Sequence, residues 1–133
     1  MILNQLSLRN FCIYKGERTF NLAPDRRNGR HVPIVLFGGI NGGGKTTILD
    51  AVQLVLYGTR AICSKRGVKS YKQFLRESIN RDVNPQDGAS VRLSFHYASE
   101  GKEQLYEVTR SWQLARGNIH EKVQVYRDGE VDG

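Results

Sequence analysis

The chain has 133 residues, of which 39% are hydrophobic and 25% charged, as expected for one globular domain rather than a disordered chain. It has no apolar run of about 18 residues, and its N-terminus alternates polar and apolar residues. Neither a membrane helix nor a signal peptide is therefore predicted, and a cytoplasmic location is expected. Lys and Arg number 20 against 13 Asp and Glu, and the net charge of +7 favours a polyanionic partner unless acidic sequence elsewhere in a longer protein offsets it.

The first third of the chain is predicted to hold a hairpin, a loop and a buried strand, followed by a helix. Alternating apolar residues indicate strands over 2–11 and 19–22, and the polar, turn-rich residues 23–31 indicate a surface loop. The continuous apolar run Ile34–Phe37 is typical of a strand buried on both faces. The apolar pattern from Lys45 to Tyr57 predicts a mostly buried helix.

The remainder is predicted to form a basic loop, a short helix and an antiparallel meander. Gly58 ends the first helix, residues 59–69 are loop-like, and a second helix is expected over 71–80. Strand alternation then returns around residues 91–97, 105–112 and 123–126, with Gly in each intervening turn. A last hairpin signal at Asp128-Gly129 is followed by too few residues to complete a pairing, which suggests that the natural protein continues.

The segment between the predicted buried strand and the first helix matches the P-loop pattern G-x-x-x-x-G-K-[ST] at Gly39–Thr46. Successive glycines let backbone N–H groups converge on an anion, and the helix adds the positive end of its dipole. Lys45 is expected to reach the β- and γ-phosphates of ATP or a related nucleoside triphosphate, Thr46 to bind Mg²⁺, and Thr47 to contact the α-phosphate. The candidate nucleotide-binding residues are Asn41, Gly42, Gly43, Gly44, Lys45, Thr46 and Thr47. The alternative is a glycine-rich turn with an incidental Lys-Thr pair.

Hydrolysis needs groups that the sequence does not supply. A Walker B carboxylate should end a buried strand, and a further residue should orient the attacking water. The acidic residues from Asp82 to Asp132 sit in turns or at alternating polar positions, and none of them follows an apolar run. We therefore predict half of an ATPase site, with Lys45 as its catalytic residue and little activity alone.

Residues around the P-loop resemble those of one group of ATPases. Leu8-Arg9-Asn10-Phe11, the loop Asn41–Thr47 and Ile48-Leu49-Asp50-Ala51-Val52 are similar to the N-terminal lobe of SMC-like head ATPases, a family that includes the repair ATPase SbcC. Within that family, Leu36–Gly42 and Leu56-Tyr57-Gly58 look like the DndD ATPases of bacterial DNA phosphorothioation systems.

This resemblance spans most of residues 1–112 and implies an α/β fold, an ABC/SMC-type P-loop NTPase N-terminal lobe with a mixed sheet, a P-loop helix and an antiparallel meander over 1–133. It implies that the coiled coil and C-terminal lobe lie outside this chain. Two heads would sandwich two ATP molecules, with Asn41 and Lys45 facing the signature loop of the second head. Repair ATPases tend to have Arg after Asn-Phe, where this chain has Cys12, so Arg9 and Lys15 become candidate substitutes.

A basic segment after the first helix is a candidate DNA surface, and a solvated loop and helix face is the alternative. Its candidate DNA contacts are Arg60, Lys65, Arg66, Lys69 and Lys72, with Arg76 following. The large aromatics of the meander are predicted to pack on the sheet rather than stack on bases: Tyr97, Tyr106 and Trp112.

The histidines and cysteines do not form a metal-binding pattern. His31, His96 and His120 are scattered without metal-ligand spacing, and we assign them no role. Cys12 and Cys63 lie far apart with no CxxC or His partner nearby, so both are predicted to be buried or half-buried thiols rather than zinc ligands or a disulfide.

These features predict the Mg-ATP-binding half of an SMC-like ATPase. Completed by the C-terminal lobe of the same protein and a second head, it would hydrolyse ATP for DNA-directed work in phosphorothioate modification, with other phosphorothioation proteins in the bacterial cytoplasm. An SbcC-like double-strand-break repair ATPase and a nucleotide-dependent dimeriser with little turnover remain alternatives. A small-molecule or nucleoside kinase is disfavoured because the strand-rich C-terminal third offers neither a lid nor an acceptor pocket.

Overall fold

A computed structural model of the chain describes residues 2–22, 25–27, 30–32, 43–61, 63, 67, 69–99, 101–128 and 130–131. In chain order its elements are β1 (Ile2–Arg9), β2 (Glu17–Asn21), β3 (Asp25–Arg27), β4 (Arg30–Val32), α1 (Gly43–Tyr57), a 3-10 turn (Gly58–Arg60), α2 (Tyr71–Ser78), β5 (Ala89–Ser99), β6 (Lys102–Ala115), β7 (Asn118–Arg127) and β8 (Glu130–Val131). The strand predicted over Ile34–Phe37 and the P-loop residues Gly39–Gly42 lie outside the described residues.

Six of the strands form one sheet in the order β2-β1-β5-β6-β7-β8. Their pairings are all antiparallel, with Leu8 opposite Val91 and Leu93 opposite Val108 in the central strands. This confirms the predicted opening hairpin and the C-terminal meander. The predicted mixed sheet also needs a strand that pairs in parallel with a neighbour. Such a strand would have to lie outside the described strands.

Two predictions about strands are wrong. Residues 23–31 contain most of a hairpin rather than a loop alone, because β3 pairs antiparallel with β4 from Asp25–Val32 to Arg27–Arg30. An Asn28-Gly29 pair between two strands is a strong hairpin signal, and the polar composition concealed it. At the other end of the chain, Glu130 and Val131 do pair with β7.

The pairing of β8 succeeds with two residues because its turn is anchored to the neighbouring strand. Asp128 adopts a positive φ of 52°. Its backbone N–H donates to the Leu105 carbonyl over 2.7 Å, and its Oδ1 accepts from the Leu105 N–H over 3.0 Å. These two hydrogen bonds hold the turn in place, so β8 needs little stabilisation from its own pairing with β7.

Both helices are present, with small differences at their ends. The first, α1, begins at Gly43 rather than Lys45 and ends at Tyr57, and Gly58 adopts the positive φ of 58° expected of a helix-ending glycine. The second, α2, ends at Ser78 rather than Asn80 because Ile79 turns to an extended conformation and bridges to Phe11. Local periodicity had assigned Ile79 to the helix.

The core lies between one face of the sheet and the two helices. Leu6, Leu8, Val91 and Leu93 on the sheet are fully buried, as are Ile48, Ala51 and Leu54 on α1. Trp112 is buried against Phe11 in an edge-to-face contact, which confirms that it packs in the core. Tyr106 is half-buried and stacks on Phe95, whereas Tyr97 is 47% exposed and so only partly fits the predicted packing role.

Within the described part of the chain, no helix is long and apolar enough to cross a membrane.

Candidate nucleotide site and basic segment

The first turn of α1 contains the second half of the P-loop motif. The backbone of Gly43, Gly44, Lys45 and Thr46 is helical, while Asn41 and Gly42 lie outside the described residues, as do the side chains of Lys45 and Thr46. The first N–H groups of a helix have no partner within the helix and carry the positive end of its dipole. No acidic residue occupies this first turn. The helix start can therefore bind an anion without repulsion from a carboxylate on its own first turn.

One face of α1 is buried in the core, and this burial holds the helix in place. Ile48, Ala51 and Val55 are buried in the core cluster, and Thr47 is fully buried beside them. The side chain of Thr47 therefore belongs to the interior. Burial of Thr47, directly after the first turn, holds this end of the helix against the core.

A second apolar face of α1 is only partly covered. Leu49 and Tyr57 are exposed, while Val52 and Leu56 are half-buried. These residues recur at helical spacing, so they form one stripe along the helix, which we call the outer stripe of α1. A helix with two apolar faces is typical of one packed between two layers.

The far end of α1 carries an ionic contact that the sequence analysis missed. Arg110 of β6 reaches the helix C-terminus, where its Nη2 lies 3.5 Å from the Val55 carbonyl oxygen. A Cβ atom on Gly58 would lie 3.0 Å from Nη1 and Nη2, so a larger residue would displace the guanidinium slightly, and the positive φ of 58° also favours glycine here. No basic residue stands in the last turn of α1, and Arg110 supplies from the sheet the positive charge that favours a helix C-terminus.

The same arginine is hydrogen-bonded to Glu121, which also accepts a hydrogen bond from Tyr71. Arg110 Nη1 donates to Glu121 Oε2 over 2.8 Å, and the Tyr71 hydroxyl donates to the same oxygen. Burial, followed by the hydrogen bond to Glu121, raises the pKa of Tyr71 above its ordinary value, so the phenol stays protonated as a donor. We call these three residues the Arg110 cluster. A charged residue at an inward position, between Val108 and Trp112 in the alternation of β6, was the signal available in the sequence.

The loop after β1 is tied to the segment after α2 by buried amides. Asn10 donates to the Gly88 carbonyl over 3.2 Å and accepts from the Gly16 N–H over 2.8 Å. Asn80 donates to the Cys12 carbonyl over 2.8 Å. Cys12 therefore has a fixed backbone at a positive φ of 52°.

Arg9 and Lys15 are the candidate substitutes for the arginine that repair ATPases tend to have where this chain has Cys12, and the structure describes both. Arg9 directs its guanidinium to the turn before β5, where Nη2 donates to the Asp87 carbonyl over 3.1 Å. Lys15 is exposed. The role of Arg9 and of Lys15 at the nucleotide stays a prediction.

The described residues of the basic segment include one ion-paired lysine and three exposed basic side chains. Lys69 forms an ion pair with Glu77 at 3.2 Å, so one candidate DNA contact is partly neutralised. Arg60 on the 3-10 turn, and Lys72 and Arg76 on α2, are exposed. Lys65 and Arg66 lie outside the described residues. Sequence order placed Glu77 after the basic run, whereas the fold brings it back to Lys69.

The cysteines and two histidines occupy structural positions. Cys63 is buried and Cys12 half-buried, as predicted. His96 Nδ1 lies 2.7 Å from the Asn4 amide nitrogen, and His120 Nε2 lies 3.2 Å from the Ala115 carbonyl oxygen. The described residues include no group of three His, Cys, Asp or Glu that could hold a metal ion.

The chain matches one protein family over almost its whole length. The family described as AAA domain matches residues 5–130. The chain belongs to this family. A search of curated proteins gives no match.

A solved structure of an SMC head domain has a similar fold. The chain is similar to the SMC head domain from Thermotoga maritima, with a TM-score of 0.51 and 20% sequence identity, and the likeness covers 100% of the chain and 39% of that head domain. At this identity the likeness establishes the fold, that of the N-terminal lobe of an SMC-like P-loop ATPase head. The family and the fold together support ATP binding as the general function.

Proposed function

We propose that this AAA domain is the Mg-ATP-binding part of an SMC-like ATPase and that a second lobe and a second head complete its active site. The observation that carries the proposal is the start of α1 at Gly43, within the motif Gly39–Thr46, on a helix whose first turn lacks acidic residues. A glycine-rich segment that enters a helix N-terminus is an arrangement that binds phosphates.

Roles for the motif residues follow from the chemistry of triphosphates. Backbone N–H groups from Asn41 to Thr47 are proposed to surround the phosphate oxygens, with Lys45 on the β- and γ-phosphates. Thr46 is proposed to bind Mg²⁺ through its hydroxyl, a hard oxygen ligand of the kind that this ion prefers. The ion would neutralise charge on the terminal phosphates when bound.

The outer stripe of α1 supports a second lobe of the same protein as a partner. Leu49 and Tyr57 are exposed there, and the chain spans only 39% of the SMC head domain that it matches. Burial of such a stripe against another layer removes apolar area from water. The C-terminal lobe would then bring the Walker B carboxylate and the water-orienting residue. A second head, with ATP between the two heads, would bring the signature loop opposite Asn41 and Lys45.

DNA is the proposed target of the work that hydrolysis drives. The net charge of +7 and the exposed side chains of Arg60 and Lys72 favour a polyanion. The likeness of Leu36–Gly42 and Leu56–Gly58 to DndD ATPases supports phosphorothioate modification, together with other phosphorothioation proteins. Neighbouring genes for a cysteine desulfurase and a sulfur-transfer enzyme would agree with this proposal, whereas a neighbouring nuclease gene would favour the SbcC-like repair function.

The experiment that tests nucleotide binding replaces the motif lysine. We expect Lys45→Ala to weaken Mg-ATP binding by at least about tenfold, because a charge-assisted contact to the phosphates is lost. Isothermal titration calorimetry measures the Kd. The matched control is Lys102→Ala, which removes an exposed lysine at the start of β6, outside the motif, and should leave the Kd within about twofold.

Turnover separates the proposed half-site from a complete enzyme. We expect ATP hydrolysis only when the chain is combined with the second lobe, and stimulation by duplex DNA would support the proposed target. Lys45-dependent turnover by the 133-residue chain alone would contradict the half-site proposal. Equal ATP affinity in the parent chain and Lys45→Ala would contradict the nucleotide site itself.

A further inference from the structure

The face of the sheet that points away from α1 and α2 carries a cavity. Leu8 of β1 and Val91 of β5 are buried in the core with α1, so their neighbours along each strand point to the opposite face. A cavity of about 200 Å³ lies on that opposite face. We call it the sheet pocket, and its polar lining residues are Ser7, Arg9, Glu17, Ser90, Arg92 and Thr109.

The register of three strands arranges this lining as a grid. Arg92 of β5 pairs with Ser7 of β1 on one side and with Thr109 of β6 on the other. In the next outward-facing row, Arg9 of β1 pairs with Ser90 of β5. The two arginines therefore occupy diagonal positions on adjacent strands, where residues lie about 7–8 Å apart. Both guanidinium groups are close enough to contact one small ligand between them.

Arg92 is held only weakly by its partners in the protein. Its Nη2 lies 3.4 Å from Ser7 Oγ and 3.8 Å from Glu17 Oε1, and both distances exceed the about 2.7–2.9 Å of a charge-assisted hydrogen bond. The side chains of Arg92 and Glu17 are 45% and 61% exposed, so solvent weakens their ion pair. An anion that enters the pocket can therefore displace Glu17 from Arg92.

The other lining residues add further donors. Arg9 donates through Nη2 to the Asp87 carbonyl over 3.1 Å, which leaves the remaining N–H groups of its guanidinium for a ligand. Within the described part of the chain, the hydroxyls of Ser90 and Thr109 form no hydrogen bond. Guanidinium forks and hydroxyls are donors that suit the oxygens of a phosphate group. The pocket is therefore equipped for an anion in spite of its single carboxylate.

The size of the pocket limits the ligand to one small group. Pockets for drug-sized ligands have volumes of about 300–1,000 Å³, whereas the sheet pocket has about 200 Å³. A phosphate monoester offers three terminal oxygens and a charge of about −1.5 to −2 at pH 7. A carboxylate has fewer oxygens and less charge, and a phosphodiester has two substituents that must both leave the pocket. The monoester therefore matches two arginines best.

We propose that the sheet pocket binds a phosphate monoester group or free phosphate, with Arg9 and Arg92 on its oxygens and Ser90 and Thr109 as additional donors. Glu17 occupies Arg92 until the phosphate displaces it. A phosphorylated serine side chain of a partner protein and the free ion share this chemistry. The inference does not rest on the proposed ATP binding, because the pocket and α1 lie on opposite faces of the sheet.

The test is a titration of the isotope-labelled 133-residue chain followed by amide NMR at constant ionic strength. We expect inorganic phosphate to shift the amide signals of Ser90 and Arg92 saturably, and acetate to bind at least about fivefold more weakly. A glycine peptide with one phosphoserine separates the two sources. If it binds at least as tightly as phosphate, the pocket accepts a phosphorylated side chain, and if it binds more than about tenfold more weakly, the ligand is free phosphate.

Variants of the lining should change the affinity for phosphate in opposite directions. We expect Arg92→Gln to raise the Kd at least about tenfold, because it removes a charged fork of donors. Glu17→Gln should lower the Kd about threefold, because it removes the competing carboxylate, and damage to the fold cannot imitate a gain in affinity. The matched control is Arg18→Gln, an exposed position on β2 that alternation places on the other face, and its Kd should stay within about twofold. Melting temperatures show that each variant is folded.

Several results would overturn the inference. These are the absence of any shift at Ser90 and Arg92 in the folded parent chain, equal effects of Arg92→Gln and Arg18→Gln, and acetate binding as tight as that of phosphate. Shifts with duplex DNA but not with phosphate or the phosphoserine peptide would replace the monoester with a nucleic-acid backbone. Lys45→Ala should keep the response at the sheet pocket. A phosphate response confined to Gly43–Thr46 would leave the proposed nucleotide site standing while this inference fails.

Discussion

At the residue scale, single contacts decide which amino acids the fold accepts. Gly88 has a φ of 72°, and a Cβ built there would lie 2.2 Å from the Trp112 carbonyl oxygen and 2.9 Å from Gln113 Cβ. Its own carbonyl accepts a hydrogen bond from Asn10. The position therefore combines a left-handed backbone with a close approach between the turn and β6.

We expect Gly88→Ala to lower the free energy of unfolding by about 3 kcal/mol or more, because the methyl group must displace backbone as well as adopt a strained φ. Urea unfolding followed by circular dichroism measures the change. The control is Gly101→Ala, where φ is 79° but no atom lies within 4 Å of the added Cβ. That variant should lose only about 1 to 2 kcal/mol, and equal losses at the two glycines would show that the close approach has no energetic weight.

The Arg110 cluster shows a different residue-scale effect, in which an inward arginine is tolerated because its partners are in place. Glu121 and the Val55 carbonyl satisfy its terminal nitrogens. The alternation of β6 places Arg110 on the apolar side of the sheet, a signal that the sequence analysis did not use. It did not reveal Glu121 or Tyr71 as partners, because those residues meet Arg110 only once β7 and α2 have packed.

At the element scale, the turn between β6 and β7 departs from the best sequence for its conformation. Arg116 and Gly117 have φ values of 53° and 80°, the positive pair that a type I′ hairpin turn requires. Glycine meets this requirement without strain, whereas arginine does not. Asn is the residue preferred at the first of these two positions.

We therefore expect Arg116→Asn to raise the free energy of unfolding by about 0.5 to 1 kcal/mol. Thermal and urea unfolding give the change. Arg116→Ala is the control, since it removes the same side chain but keeps the backbone strain, and it should bring no gain. A gain of equal size in both variants would assign the effect to loss of positive charge rather than to the turn.

Element ends show how tertiary contacts override periodicity. The apolar spacing that predicted α2 continues to Ile79, yet the helix ends at Ser78. The Cys12 N–H donates to the Ser78 carbonyl, and the Asn80 N–H donates to the Asn10 carbonyl. These bonds to the loop after β1 replace another half turn of helix, so the end of α2 is set by a segment far away in sequence.

At the scale of the whole molecule, Trp112 joins three parts of the fold. Its indole lies on β6, donates to the Leu75 carbonyl of α2 over 2.8 Å, and packs edge to face on Phe11. The side chain is 2% exposed. Sheet, second helix and N-terminal loop therefore share one buried residue.

We expect Trp112→Phe to lower the free energy of unfolding by about 2 to 4 kcal/mol, since it leaves a cavity and removes the donor to a buried carbonyl. Far-ultraviolet circular dichroism in urea measures it, because the variant has no tryptophan to follow by fluorescence. Tyr126→Phe, on the polar face of the sheet, should change stability by less than about 0.5 kcal/mol. A loss below about 1 kcal/mol for Trp112→Phe would contradict its role at the junction.

The sequence by itself determined the features that depend on neighbours in the chain. Alternation identified β1, β5, β6 and β7, helical spacing identified α1 and α2, and the glycine-rich motif followed by Lys45 predicted a phosphate-binding segment. Each signal is local, because strand faces, helix faces and turns follow from the residues within a few positions. The motif residues remain predictions at the level of side chains, since Lys45 and Thr46 are not described there.

Only the tertiary structure decided which distant residues meet. It paired Lys69 with Glu77, placed Arg110 of β6 on the end of α1, and left Leu49 and Tyr57 exposed on the outer stripe. The physical reason is that an ion pair or a helix-end contact depends on position in space, and residues as far apart as Val55 and Arg110 have no local pattern in common. Composition supplied the positive charge of this domain, but the fold determined which of the described basic side chains are exposed.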